Sequence, residues 1–329
     1  MVRKKVLAIP EDDIFLKRDV EILKNHFEIR TAPGFNRRRP ITSTFRIFRG
    51  TLWADLTFSW FAGTHAFLTV LFSKVLRKKS VVTIGGYEVA KLPEIGYGSM
   101  SQPIYAHLVK FVLNHADKLF AVSEFHKAEV LKYAKSKNVK LIYPSRPTDW
   151  DKFRPSGEKQ DLVITTGFIK QITIKRKGFE TFIMAAKYLP EVKFALVGGC
   201  SDNSIAYLRS IAPPNVVFSG LVGTDEVLRW CQKAKVYCQL SYYESFGVAL
   251  AEAMACECVP VVTDRGSLPE VVGDTGFYVP YGDVGATVET IKKALKSDKG
   301  KEARQRIKKM SSVDKLGKEL VSEVEELLG

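Results

Sequence analysis

Apolar runs of four or five residues recur along the chain, separated by segments whose apolar positions fall three to four residues apart. In the first half, runs at 6–9, 56–60, 80–84, 118–122 and 139–143 read as buried strands. Helical spacing occupies 16–26, 66–77, 102–116 and 124–136 between them. The alternation then restarts, with strands predicted at 162–166, 193–197, 216–219, 236–240 and 259–262. Helices are predicted there at 178–189, 204–211, 224–233 and 247–255. A final charged helix at 313–328 follows Ser311-Ser312, either of which can cap its start. Strands alternating with helices imply parallel sheets covered on both faces. The Pro-rich stretch 144–155 has no periodicity and reads as a linker. The expected fold class is α/β, with two Rossmann-like parallel-sheet domains facing across a cleft and ligands at the strand carboxyl ends.

The most pointed chemistry lies at 244–252, Glu-Ser-Phe-Gly-Val-Ala-Leu-Ala-Glu. Ser245, Phe246 and Gly247 are read as opening a helix after a buried strand at 236–240 and its carboxyl-end loop Ser241-Tyr242-Tyr243. Free backbone N–H groups and the positive end of the helix dipole make such a start an anion site. Glu252 falls about five residues along, roughly 7–8 Å from that start, a suitable distance from a diphosphate to the ribose of one nucleotide. A carboxylate accepts two hydrogen bonds and therefore suits a vicinal diol. Glu244, at the helix mouth, would face whatever the far phosphate carries. Two acids eight residues apart also suit the outer face of any amphipathic helix, so the spacing alone does not decide.

Charge changes the picture of the first half. The chain carries a formal net charge of +14, and residues 1–155 hold 27 Lys/Arg against 14 Asp/Glu. A basic half can meet nucleic acid, an anionic membrane or a phosphorylated substrate. Arg37-Arg38-Arg39, Arg46 and Arg49 are interleaved with Phe45, Phe48, Leu52 and Trp53, a mixture better suited to a membrane interface than to duplex DNA. No recognition helix or aromatic RNA motif is recognisable, which sets nucleic acid aside. Residues 56–73 lack Asp, Glu, Lys and Arg, but Ser59, Gly63, Thr64, His65 and Thr69 interrupt them. A strand, a turn and a helix explain that segment better than a membrane span. No leader pattern precedes the first strand. Five cysteines, at 200, 231, 238, 256 and 258, match neither a disulfide framework nor a metal site, and the reading is a cytoplasmic protein with reduced thiols and no metal.

The second half resembles the retaining family 4 glycosyltransferases, the glycosyl transferases group 1, with the GT-B fold. The resemblance rests on an ordered set. Pro214-Asn215-Val216-Val217-Phe218-Ser219-Gly220 is followed by Ala234-Lys235-Val236-Tyr237 and by Glu244 and Glu252 with Ala253-Met254-Ala255. Gly266-Ser267-Leu268-Pro269-Glu270-Val271-Val272-Gly273 closes it. Upstream, Thr166-Gly167 and Lys177-Gly178 match the family's basic donor-phosphate element. In the first half, 116–123 and 149–155 also resemble family signatures. The resemblance implies an acceptor domain over 1–155, a nucleotide-sugar donor domain over 156–312, and a helix at 313–329 packing back toward the first domain. Carried over by position, Glu244 would hold hydroxyls of the donor sugar and Lys177 its phosphate. The N–H groups of Phe246, Gly247 and Val248 would meet the diphosphate and Glu252 the ribose, with Ser245 also in the donor site. Leu221 or Val222 would line the nucleobase. Phe168 stands where the family usually has an arginine, and Lys170, Lys175 or Arg176 is left to replace that charge. Gly85-Gly86-Tyr87-Glu88 stands where the family commonly has a His-Gly pair, making Gly86, Tyr87, Glu88 and Ser123 the acceptor-side candidates.

The implied activity is retaining, metal-independent transfer of a sugar, of the hexosyl type, from a nucleotide diphosphate sugar acting as co-substrate, with no further cofactor. Fixed positive charge and the helix start would stabilise the departing phosphate. Asp149-Trp150-Asp151 resembles a metal-binding Asp-x-Asp but sits in the linker. The basic half points to a glycan or lipid-linked acceptor and to a peripheral position on the inner face of a membrane. A sugar-nucleotide epimerase of the same fold, or a noncatalytic sugar-nucleotide-binding subunit, would share the donor site.

Overall fold

In the computed structural model, residues 3–10, 14–135, 138–144 and 150–329 are described, the side chains of residues 14, 313 and 314 apart. The chain divides into two compact units, residues 1–144 with 313–329, and residues 145–312.

The first unit is built on a six-stranded sheet. Its strands are β1 (Lys5–Ile9), β2 (Glu28–Thr31), β3 (Leu56–Trp60), β4 (Lys79–Thr83), β5 (Lys118–Ala121) and β6 (Val139–Leu141), in the order β2-β1-β3-β4-β5-β6. Every pair is parallel. All five residues of β3 are buried, and its two polar ones are paired, Thr57 with Ser73 at 3.0 Å and Ser59 with Thr69 at 3.1 Å. The helix at Val313–Leu328 belongs to this unit. Lys118 on β5 hydrogen-bonds Glu323 and reaches Glu326 at 3.0 Å, and Lys140 on β6 reaches Glu323 at 2.8 Å.

The second unit repeats the plan with β7 (Gln160–Thr166), β8 (Lys193–Val197), β9 (Val216–Phe218), β10 (Ala234–Gln239), β11 (Val259–Thr263) and β12 (Phe277–Val279). Its order is β12-β11-β10-β7-β8-β9, again parallel throughout. That is the doubly wound dinucleotide-binding order, in which the chain reverses direction across the sheet between β7 and β10 and leaves a crevice at their carboxyl ends. Phe179, Phe182, Ile183, Phe194 and Leu196 pack in the core between sheet and helices.

Two strands were not legible in the hydrophobic pattern. β2 lies at a sheet edge with a largely exposed Glu-Ile-Arg-Thr sequence, and β12 is a three-residue edge strand. With one neighbour and little buried surface, neither needs an apolar run. Helices Pro40–Trp53, Gln171–Lys177, Val284–Leu295 and Gly300–Met310 were also missed. The first begins at Pro40, whose missing N–H costs nothing at a first helical position, and buries only Ser43, Ile47 and Thr51. No described helix is long and apolar enough to cross a membrane. Residues 136 and 137 of the predicted 124–136 helix and its flank, and 145–149 of the predicted linker, lie outside the described residues.

Candidate active site

The second unit brings Arg176, Lys177 and Glu244 together at the β7–β10 switch point. Tyr237 and Gln239 share one face of β10, two residues apart, and Ser241 continues the same spacing past the strand end. Burial on both sheet faces leaves these polar groups no water, so they satisfy one another. Thr166 Oγ1, at the end of β7, lies 2.8 Å from Tyr237 Oη, which donates to Gln239 Oε1 at 3.0 Å. Gln239 Nε2 in turn donates to Glu244 Oε1 at 2.7 Å, and Ser241 Oγ donates to the same oxygen at 3.1 Å. The chain of donors thus fixes Glu244 by one carboxylate oxygen.

Two cations meet that oxygen. Lys177 Nζ and Arg176 Nη1 each lie 3.4 Å from Glu244 Oε1. None of these four contacts reaches Oε2. Both basic residues end the short helix Gln171–Lys177, and Gly178 then turns the chain at φ +66°. A Cβ there would lie 2.1 Å from the Leu240 carbonyl oxygen, so only glycine lets this turn back against the end of β10. Tyr242 N donates to Arg176 O at 2.7 Å, completing the junction. Burial favours a protonated Glu244, but Lys177, Arg176 and the Ser241 hydroxyl outweigh it and hold the carboxyl below its ordinary range. Burial also lowers the Lys177 ammonium below the usual lysine range, against the opposing pull of Glu244. With both cations charged, the cluster carries one positive charge in excess, a setting for an anion.

Glu244 is held from behind by the segment after β11. Gly266 has φ +62°, and a Cβ on it would sit 2.5 Å from the Glu244 carbonyl oxygen. Ser267 N and Oγ both donate to that carbonyl, at 3.1 and 3.2 Å. The helix Val248–Ala255 starts one residue later than Gly247, which is its N-cap in a left-handed conformation and has no side-chain cap. Ser245 and Phe246 therefore precede the helix, and the Phe246 side chain is buried. Glu252 lies a little over one turn into it and is partly buried.

The other basic candidates separate cleanly. Lys170 is exposed and its ammonium lies 5.4 Å over the Phe168 ring, while Lys175 is exposed and lends its carbonyl to Tyr281 Oη at 2.6 Å. Arg176 alone of the three joins Lys177 at Glu244. Phe168 is 41 % exposed and Leu221 is 82 % exposed, and both side chains approach Gly199, which has none, at the ends of β7, β9 and β8. Val222 is partly exposed beside Leu221. Asp202 caps the following turn by accepting from Ser204 N at 3.0 Å.

In the first unit, the acceptor-side candidates divide by role. Glu88 is buried, and its carboxylate accepts the backbone N–H groups of Ala62, Gly85 and Gly86 at 3.1, 2.9 and 2.8 Å. It ties the loop after β3 to the loop after β4, and burial raises its pKa despite those bonds. Ser123 is fully buried and caps the helix Glu124–Leu131 by accepting from His126 N at 3.0 Å. Tyr87 is exposed, takes a hydrogen bond from Gln102 Nε2 at 2.9 Å, and stands at a cavity of about 540 Å³. Phe35, Arg37, Phe61, His65 and Tyr105 line the same cavity. Sequence reasoning named none of those five as site residues, nor Gln239 and Ser241 in the second unit. The signal available for the latter pair was their alternation within an otherwise apolar strand. Among the described residues no cluster of three or more His, Cys, Asp or Glu side chains is placed to hold a metal ion, and Asp149 lies outside them.

Residues 149–312 match the family model described as glycosyl transferases group 1. By this half, the chain belongs to the group 1 glycosyltransferase family. Among curated relatives, it is 27 % identical over 220 residues to a D-inositol 3-phosphate glycosyltransferase of Mycobacterium sp. (strain JLS), covering 60 % of this chain and 49 % of that protein. It is 25 % identical over 277 residues to the N-acetyl-alpha-D-glucosaminyl L-malate synthase of Bacillus anthracis, covering 77 % and 70 %. The chain spans about half the length of the curated glycosyltransferase it matches first. Among solved structures, sucrose-phosphate synthase from Thermosynechococcus elongatus superposes with a TM-score of 0.79 at 18 % identity over 99 % of each chain. Anabaena HepE in complex with UDP-glucose gives 0.80 at 14 % identity, over 98 % of this chain and all of that one. These likenesses show the GT-B fold for this group 1 glycosyltransferase chain.

Proposed function

We propose that the chain transfers a hexosyl group, with retention of configuration and without a metal ion, from a nucleotide diphosphate sugar to a lipid-linked glycan acceptor. The observation that carries this reading is the convergence of Lys177 and Arg176 on Glu244 Oε1 beside the uncapped start of the helix Val248–Ala255. A diphosphate placed there meets two fixed cations and backbone N–H groups, which neutralise the charge that builds as the nucleotide leaves. Glu244 Oε2 is then offered to a sugar hydroxyl, while Glu252 suits the ribose diol. Departure and attack on one face need no protein nucleophile, because the departing phosphate accepts the acceptor's proton. The exposed pair Phe168 and Leu221 suits a nucleobase. The complex of the HepE fold relative makes UDP-sugars the first donors to try.

Support for the acceptor class comes from the basic first unit and from its aromatic cavity at Tyr87. A peripheral place on the cytoplasmic face of a membrane follows from the same reading. Incubation with a panel of nucleotide sugars and a lipid extract, with the new linkage assigned by NMR, tests the function. An axial linkage from an axial donor supports it. Inverted product, turnover that depends on added divalent metal, or donor epimerised without acceptor would each oppose it.

A further inference from the structure

The helix Pro40–Trp53 turns one face to the protein, through Ser43, Ile47 and Thr51, and another to solvent. On the outward face Ile41 is 84 % exposed, Phe45 59 % and Leu52 54 %, at spacings of four and seven residues that align them in one stripe. Arg46 and Arg49 flank the stripe, and Arg49 lies 5.8 Å over the Phe45 ring. A groove of about 500 Å³ opens between this helix and Phe72, lined by Pro40, Ile41, Thr44, Phe45 and Phe48. Exposed side chains of this size in a continuous stripe mark an interaction surface rather than ordinary solvent exposure.

The charge around the stripe identifies what covers it. Residues 29–54 carry six arginines and no Asp, Glu or Lys. Among the described residues, no ion pair joins Arg37, Arg38, Arg39, Arg46 or Arg49 to a carboxylate. Apolar side chains bordered by unpaired arginines suit a leaflet with anionic headgroups, where the rings and aliphatic groups enter the acyl boundary and the guanidinium groups stay at the phosphates. A second copy of the chain fits poorly, because a twofold contact sets this arginine-rich surface against itself.

We infer that the helix Pro40–Trp53 and the preceding Arg37–Arg39 run form the face by which this protein docks on an anionic membrane surface. Arg37 also lines the aromatic cavity, and it lies three residues from Pro40, at most about 10 Å along the chain. Docking therefore brings the cavity's own lining to headgroup level, where a lipid-linked acceptor presents its sugar. This inference deepens the lipid-linked acceptor reading and rests on it only for what the membrane supplies.

Co-sedimentation with vesicles tests it without turnover. Wild-type protein should bind phosphatidylcholine vesicles containing about 30 % phosphatidylserine and leave pure phosphatidylcholine unbound at about 0.1 M salt. The triple variant Ile41→Ser, Phe45→Ser, Leu52→Ser should lower the partition coefficient at least tenfold with charge unchanged. Arg46→Gln with Arg49→Gln should lower it roughly 25-fold, about fivefold per charge. Tyr188→Ser, an exposed site in the other unit, should leave it unchanged. Wild-type protein that stays in solution, a triple variant that binds like wild type, or self-association that the triple variant abolishes would overturn the inference. Nucleotide binding, measured in parallel, shows that each variant is folded. Vesicle binding without any nucleotide binding would sink the transferase reading and leave the docking face standing.

Discussion

Lys177 Nζ stands 3.4 Å from Glu244 Oε1, so the group suited to the leaving phosphate and the group suited to the sugar belong to one charge pair. Lys177→Ala should lower kcat by on the order of 10²–10³, the usual loss when one stabiliser of transition-state charge is removed. Glu244→Gln keeps the shape and should raise KM for the donor sugar without weakening affinity for the free nucleoside diphosphate. Steady-state kinetics beside nucleotide titration separate the two.

The second cation is assigned by position. Arg176→Ala should weaken nucleotide diphosphate binding about tenfold or more, as expected for a lost charge-assisted contact, whereas Lys170→Ala and Lys175→Ala should change it less than threefold. Equilibrium titration of the three variants decides which residue stands in for the arginine that Phe168 displaces. Equal losses in all three would remove the assignment.

Activity at alkaline pH should report Lys177. Its pKa lies below the usual lysine range because burial outweighs the pull of Glu244, so kcat should fall before an exposed lysine would titrate. Lys177→Arg, which keeps its charge, should move that limb to higher pH. The linked stability has the opposite sense to an ordinary ion pair. The unfolded lysine holds its proton to higher pH than the folded one, so this group's contribution rises with pH between the two pKa values.

His126 gives a separate acid-side test. It is fully buried, its Nε2 has no hydrogen-bond partner, and burial lowers its pKa from 6.5 to about 4. The unfolded ring therefore takes up a proton that the folded ring refuses, and stability present above pH 6.5 is lost as pH falls toward 4. The loss amounts to about 3 kcal/mol. Denaturant melts from pH 7 to 4 should show it, and His126→Leu should flatten that slope.

Much of this was legible from the chain because the buried strands of a doubly wound sheet are continuous apolar runs. β8 and β11 declare themselves in that way, and the helix Val248–Ala255 begins one residue after the start its pattern predicts. Edge strands β2 and β12 have too little buried surface to leave a pattern. The site was only partly legible for a different reason. Glu244 and Lys177 stand 67 residues apart in sequence, and only the β7–β10 reversal, with Gly178 turned against Leu240, brings them together. Glu88 is an acceptor-side candidate because its segment stands where the family commonly has a His-Gly pair, and three backbone N–H groups claim its oxygens. Arg176 could not be chosen over Lys170 and Lys175 until the helix Gln171–Lys177 set which of the three faces inward.

Gly266 ties the backbone to the chemistry. Gly266→Ala introduces a Cβ at φ +62° and 2.5 Å from the Glu244 carbonyl oxygen, so it should cost roughly 1–3 kcal/mol of stability and displace Glu244. Donor-sugar KM should rise well beyond any change in nucleotide affinity.

Calorimetric titration of UDP, UMP and UDP-sugars into the wild type and the Arg176→Ala, Lys177→Ala double variant tests the donor site most directly. UDP should bind at least tenfold more tightly than UMP to the wild type, and the double variant should abolish that preference while still unfolding in a single cooperative thermal transition in the absence of nucleotide. Nucleoside diphosphates of every base binding no better than monophosphates, or a preference that survives loss of both cations, would contradict the account.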